Sequence, residues 1–213
     1  MKENKEVVVQ EVSTVNNYLM TLIKSGKLPG HVKTLEDAVT VAQMGKELGF
    51  GMMQSFHYII PIQGKLSLSA KALGALLRKG GVEYLTTEDG VYVFADGSTG
   101  DTLTNLKGEK AIDRRTTIEF FRNNRTETCS FTWSDATKQG LNTKDNWVRM
   151  PKEMLWARCL SKGSNRIGPD LLLGLYTTDE MADALNISEK NIQRNEDGTI
   201  KEIIDITANQ TNN

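Results

Sequence analysis

The hydrophobic period of the chain changes after Gly49, and that change limits the possible fold more than any other feature. Before it, apolar residues recur at helical spacing. Val8, Val12, Val15, Leu19, Leu22 and Ile23 predict a helix over residues 7–25, ended by Gly26 and Pro29-Gly30. Ala38, Val41, Ala42, Gly45 and Leu48 predict a second, capped by Thr34, with Glu36 and Asp37 in its first turn and Gly49 at its end. After it, short alternating runs are separated by turn residues. Residues 57–62 and 65–68 read as strands joined at Gln63-Gly64, and residues 82–87 and 91–95 as a hairpin turning at Glu88-Asp89-Gly90. Residues 116–122 and 128–133 read as a third pair about Asn123-Asn124, with 125–127 lengthening the loop. Ser69 caps a helix over 70–79, residues 96–113 read as a loop, Ser134 caps a short helix ending at Gly140, and Pro151 opens a helix to about 166. A last short helix falls near 178–185. This order predicts an α+β fold, antiparallel β-hairpins forming a sheet packed with helices, and not an alternating βαβ fold.

The 213 residues suit one domain over 1–187. Residues 188–213 lack an apolar face and read as a disordered, polar, acidic tail. There is no internal repeat. No run approaches 18 apolar residues, and MKENKEVVVQ is no secretory signal. Cys129 and Cys159 could form a disulfide, but they lie far apart in sequence and read more simply as reduced thiols, so the expected location is the cytoplasm.

A net charge of −1 hides an asymmetry. From Thr178 onward eight acids face three bases, leaving +4 on the rest of the chain, and residues 138–166 hold seven bases against two acids. This pattern is that of a basic working surface and an acidic tail, although ordinary solvated charge has the same composition.

A catalytic centre is hard to find. His31 and His57 read as structural histidines, one in a turn and one in a strand. There is no Cys/His cluster of zinc spacing and no GxxxxGK[ST] run. Pro169-Asp170 could open a metal nuclease site, but no acid-x-Lys partner follows, and the pair reads as a turn. No enzyme activity, metal or cofactor is therefore expected. The cations are better organised. On a helix from Pro151, Lys152, Arg158, Lys162 and Arg166 fall within an arc of about 120°. A row of this kind can neutralise successive phosphates, although a solvated helix face has the same pattern. Arg149 lies just ahead of it, and Arg114, Arg115, Arg122 and Arg125 gather around the third hairpin. Trp133, Trp147 and Trp156 sit near these cations and could stack bases, although large aromatics are more often core. Met154, Leu155, Trp156 and Leu160 are scattered around the helix, which implies contact on several sides, within the fold or with another subunit. Gly163 reads as a weak point near its end.

Two segments resemble a known family. LGFGMMQSFHYIIPIQGKLSLSAKALGALLRKGG (48–81) and FTWSDATKQGLNTKDNWVRMPKEMLWARCLSKGSNRIGPDLLLGLYTTDEM (131–181) are similar to RecT-type phage single-strand annealing proteins. The shared features are a Trp ahead of a Pro-x-x-Met helix, then bases, then a Gly-x-Tyr-x-x-acid close. Trp147, Pro151, Met154, Arg158, Gly174, Tyr176, Asp179 and Glu180 fit that pattern, and the Bet protein of the Red system carries a similar stretch. The resemblance spans about residues 34–181. It implies the single-strand annealing protein fold and ATP-independent binding and annealing of single-stranded DNA in homologous recombination. It also implies homo-oligomeric rings or filaments, in a bacterial host with a phage exonuclease and a host single-strand-binding protein as partners. Lys152 and Arg158 match its DNA-contacting positions, with the next near Asn165 or Arg166; Lys65 and Lys71 follow in the first hairpin and the helix after it. Trp156 departs from relatives that carry a charge there. The alternatives are a structural or replication-accessory DNA-binding protein without annealing activity, a component that binds protein only, and a metal-dependent nuclease.

Overall fold

The computed structural model describes residues 14–185, 192–194 and 200–203. In chain order the elements begin with α1 (residues 14–24), α2 (Leu35–Glu47), α3 (Met52–Tyr58), β1 (Ile59–Ile62), β2 (Lys65–Leu68) and α4 (Ala70–Lys79). They continue with β3 (Glu83–Val93), β4 (Thr99–Gly100), β5 (Asp113–Arg122), β6 (Arg125–Thr132), α5 (Trp133–Lys138), α6 (Asp145–Arg149) and α7 (Pro151–Ile167). Last come α8 (Pro169–Leu172), β7 (Tyr176–Thr177), α9 (Thr178–Ala184), β8 (Ile192–Arg194) and β9 (Ile200–Ile203). The fold is α+β, with antiparallel pairing predominant. The described residues divide into two compact units: residues 70–174 form one, and those before and after them form the other.

In the discontinuous unit, Thr34 caps α2 as its sequence predicts. Asp37 N donates to Thr34 Oγ1 (3.1 Å) and Thr34 N to Asp37 Oδ2 (3.1 Å). His57 is helical, not the start of a strand: Gly51 N bonds to Gln54 Oε1, α3 runs to Tyr58, and Phe56 is driven fully into the core. β1 and β2 pair through Gln63-Gly64, both at positive φ, the geometry a two-residue hairpin turn requires. β7 then adds parallel to β2, a pairing the sequence reading missed because the strand is two residues long. Thr177 caps α9, whose Met181 and Ala182 pack against Ile60 and Ile62. Within the tail, β8 and β9 pair as an antiparallel ribbon where the sequence showed no regular element. The other tail residues, like residues 7–13 of the first predicted helix, lie outside the described residues.

The continuous unit is built on a four-stranded sheet in the order β4-β3-β5-β6. Asn123 (φ 48°) and Asn124 (φ 61°) make a two-residue turn with Arg122 opposite Arg125, so the loop is tighter than expected and residues 125–127 belong to β6. The larger correction concerns β3. It runs unbroken through Glu88-Asp89-Gly90, the residues read as a turn. Two register shifts, between Thr86 and Glu88 and between Glu88 and Val91, absorb them as bulges against β5. The strand turns later, at Asp96-Gly97, where Phe94 N donates to Ser98 O and Asp96 Oδ1 accepts from Ser98 N. Thr132, not Ser134, caps α5, because its Oγ1 accepts from Asp135 N (3.0 Å). α7 crosses β3, β5 and β6, with α4, α6 and α8 against it. Met154, Leu155 and Leu160 are buried in these contacts, so they are not available as subunit contacts. At the crossing, a Cβ on Gly163 would lie 2.0 Å from the Phe120 ring, so Gly163 is the point of closest approach to the sheet and not a weak helix end.

Candidate nucleic-acid interface

α7 projects its cations as helical geometry requires, but it crosses the sheet, so the two ends of the row attend different strands. At the N-terminal end, Lys152 Nζ lies 2.8 Å from Asp89 Oδ2 on β3. At the other, Lys162 Nζ donates to Ser130 O (3.0 Å) and Arg166 Nη1 pairs with Glu127 Oε1 (2.9 Å), both on β6. Arg158, between them, is half-buried. From Lys152 to Arg166 the axial span is about 21 Å. Lys65 and Lys71 are exposed, at the start of β2 and in the first turn of α4, but they belong to different units.

The hairpin arginines separate into two kinds. Arg115 holds Glu88 through two bonds (2.6 and 2.7 Å), and Arg122 grips Asp170 through Nη1 and Nη2. A phosphate would have to displace a bidentate pair at either site. Hydrogen bonding from Arg115 holds the Glu88 carboxyl below its ordinary range, with a further bond from Thr117 Oγ1. The Asp170 carboxyl is lowered by Arg122 in the same way, so Pro169-Asp170 belongs to a helix start and an ion pair. Arg125 is exposed on the turn side of β6. Arg114 is different: its Nε donates to Gly90 O (2.7 Å) and its guanidinium lies 5.1 Å above the Tyr92 ring.

The β3 bulge brings Arg114 and Lys152 together. A Cβ on Gly90 would meet Lys152 Cγ at 2.8 Å and Arg114 Nη2 at 3.4 Å, so the two side chains converge over a bare backbone. Lys152 is exposed (47%), as is its partner Asp89 (49%). Exposed pairs of this kind contribute about 0–1 kcal/mol, and a phosphate oxygen can compete for the lysine. The same argument applies to Arg149, paired with Asp145 at 2.9 Å with both side chains exposed; Arg166 is exposed, but its partner Glu127 is half-buried.

Beside this convergence lies an open groove of about 410 Å³. Tyr92, Leu103, Ile112, Arg114, Trp133 and Val148 line it. No spacing pattern in the sequence marks this groove. Its signal was present, however, in Leu103 and Ile112, large aliphatics inside a segment otherwise rich in Gly, Asp and Lys. Of the three tryptophans, Trp147 is core (2% exposed), packed on Phe131 and Trp133 at 6.1 and 6.0 Å between ring centres, and cannot stack a base. Trp156 is half-buried and donates Nε1 to Thr86 Oγ1 (3.0 Å). Trp133 alone faces the groove.

His31 Nε2 donates to Phe56 O (2.8 Å), a structural role. Cys129 and Cys159 are buried free thiols, with Cys159 Sγ donating to Cys129 O (3.0 Å). Among the described residues, no group of three or more His, Cys, Asp or Glu is placed to hold a metal ion, and no helix is long and apolar enough to cross a membrane. The chain matches no protein-family model, no curated protein and no solved structure.

Proposed function

We propose that the chain binds single-stranded DNA and promotes annealing of complementary strands without ATP. The observation that carries this reading is the convergence of Arg114 and Lys152 over Gly90, next to a groove with an aromatic wall. Phosphate-binding and base-binding chemistry meet at one place. The row on α7 continues the cationic track for about 21 Å, the length of several nucleotides. The resemblance of residues 34–181 to RecT-type proteins supports the same reading.

Annealing is downhill, since stacking contributes about 1.4 kcal/mol per base-pair step. What opposes it is repulsion between two phosphate chains and the search for register. A cationic track relieves the first and holds one strand extended for the second. One chain covers only a few nucleotides, so neighbouring copies must continue the track, which accords with the ring or filament that the resemblance implies. The protein performs no covalent step.

The test is the annealing rate of two complementary, dye-labelled oligonucleotides without nucleotide or metal, with binding measured across a range of salt. Acceleration that declines in an Arg114→Ala/Lys152→Ala double variant is the expected result. Binding without acceleration would make the protein a DNA-binding accessory factor. Loss of labelled strand in a parallel reaction with added magnesium would make it a nuclease.

A further inference from the structure

We propose that the groove beside Gly90 takes one nucleobase of the bound single strand, stacked on Trp133, with the adjoining phosphates on Arg114 and Lys152. The proposal rests on the single-strand reading above and adds a site for the base itself. Leu103, Ile112 and Val148 line the groove while 57%, 67% and 63% exposed. Single exposed aliphatics are ordinary on a protein surface, but three gathered around a tryptophan are not. Trp133 packs on buried Trp147 at 6.0 Å between ring centres, a contact that already restrains its ring before a base stacks on it.

The opposite requirement, an anion attached to the flat ring, is also met. Arg114 is held at the groove by Gly90 O and the Tyr92 ring, and Lys152 meets it at the bulge. The groove's own acid, Asp113, already accepts backbone bonds at Oδ1 from Arg114 N (2.7 Å) and Ser134 N (3.1 Å). An apolar side chain from a second copy would fill the groove but bring nothing for the two cations. A nucleotide satisfies both. A docked base is withdrawn from pairing, so pairing must release it, and this site then holds single strand more tightly than duplex.

The experiment compares oligothymidylate with an abasic strand of equal length by fluorescence anisotropy, at low and physiological salt. The proteins are wild type, Val148→Ser, Ile112→Ser and, as a control, Leu85→Ser, which removes an exposed leucine (58%) from β3 outside the groove. These changes are neutral, so phosphate attraction is unaltered and the ratio of the two affinities isolates the base. Wild type is expected to bind oligothymidylate at least about fivefold more tightly than the abasic strand. Both groove variants should lose that preference and the control should keep it. Oligothymidylate should also quench tryptophan emission in wild type and much less in Trp133→Phe. Equal affinity for the two strands in wild type overturns the proposal while leaving single-strand binding intact. So do groove variants that keep the preference, including any that change only self-association, which would assign the groove to a second copy. If neither strand binds, the single-strand reading itself falls.

Discussion

Replacing Gly163 by alanine probes the contact that seats α7 on its sheet. The added methyl carbon would lie 2.0 Å from Phe120 Cε2 and 2.3 Å from Cζ, where ordinary contact begins at 3.4 Å. Ring or helix must therefore shift by about 1.5 Å in a region packed like a crystal. Phe120 is fully buried and flanked by Tyr84 at 6.2 Å, so the ring has no open direction in which to swing. Overpacking of this kind costs about 1–3 kcal/mol. Alanine's helix preference over glycine returns up to about 1 kcal/mol. An approach as close as 2.0 Å belongs to the upper part of the overpacking range, about 2–3 kcal/mol, so after the return of about 1 the expected net loss is about 1–2 kcal/mol, or roughly 2–8 °C in Tm for a chain of this size. Urea and thermal melts of wild type, Gly163→Ala, Phe120→Leu and the double variant measure it. The smaller ring-site residue makes room for the methyl, so the double variant should be more stable than the sum of the singles by at least about 0.5 kcal/mol. A Gly163→Ala protein as stable as wild type, or more so, would refute the argument, because helix preference would then be the only term acting.

Three further outcomes follow from the site and its supports. Arg114→Ala and Lys152→Ala should each weaken binding to all sequences alike and reduce the salt slope by about one contact, read by anisotropy against salt; unchanged slopes would remove the Gly90 bulge from the interface. The Glu88 carboxyl is held below its ordinary value of 4.5, so its pairing stabilises the fold fully above that value and is lost as pH falls through the lowered one. The Tm gap between wild type and Glu88→Gln should accordingly be widest near neutrality and close in acid, whereas a gap independent of pH would show that charge is not its cause. Dynamic light scattering should find oligomers that lengthen when a complementary strand is added, and Val15→Glu, at an exposed apolar position of α1, should shrink them; a monomer that anneals fully would refute assembly.

What the sequence shows clearly here is what short-range chemistry decides. Thr34 with Asp37, Gln63-Gly64, Asn123-Asn124 and Pro151 each mark a boundary within a few residues, and the structure places elements accordingly. The β3 bulge is not legible locally because it is held from far away: Glu88 finds Arg115 and Thr117 27 and 29 residues along the chain. Without those partners Glu88-Asp89-Gly90 looks like any turn. The cationic arc on α7 was legible from helix geometry alone. Its division between β3 and β6 was not, because nothing local says that the helix crosses the sheet. The same crossing explains the apolar residues around α7. They face the sheet on one side and neighbouring helices on others. The groove draws Tyr92, Ile112, Trp133 and Val148 from four separate segments, and no spacing rule unites them.

The pairing of β7 with β2 fixes an order of events during synthesis. Thr178 Oγ1 donates to Leu68 O across 110 residues, and Ser67 and Leu68 align with Tyr176 and Thr177. Residues 70–174 leave the ribosome before that partner strand exists. Their sheet has its contacts within reach, whereas the earlier residues must wait with the edge of β2 unpaired. A chain stalled or cut short before Tyr176 therefore exposes a strand edge, the feature that most readily recruits a second chain. Closing that edge is a long-range step, and it cannot precede the synthesis of Tyr176 and Thr177.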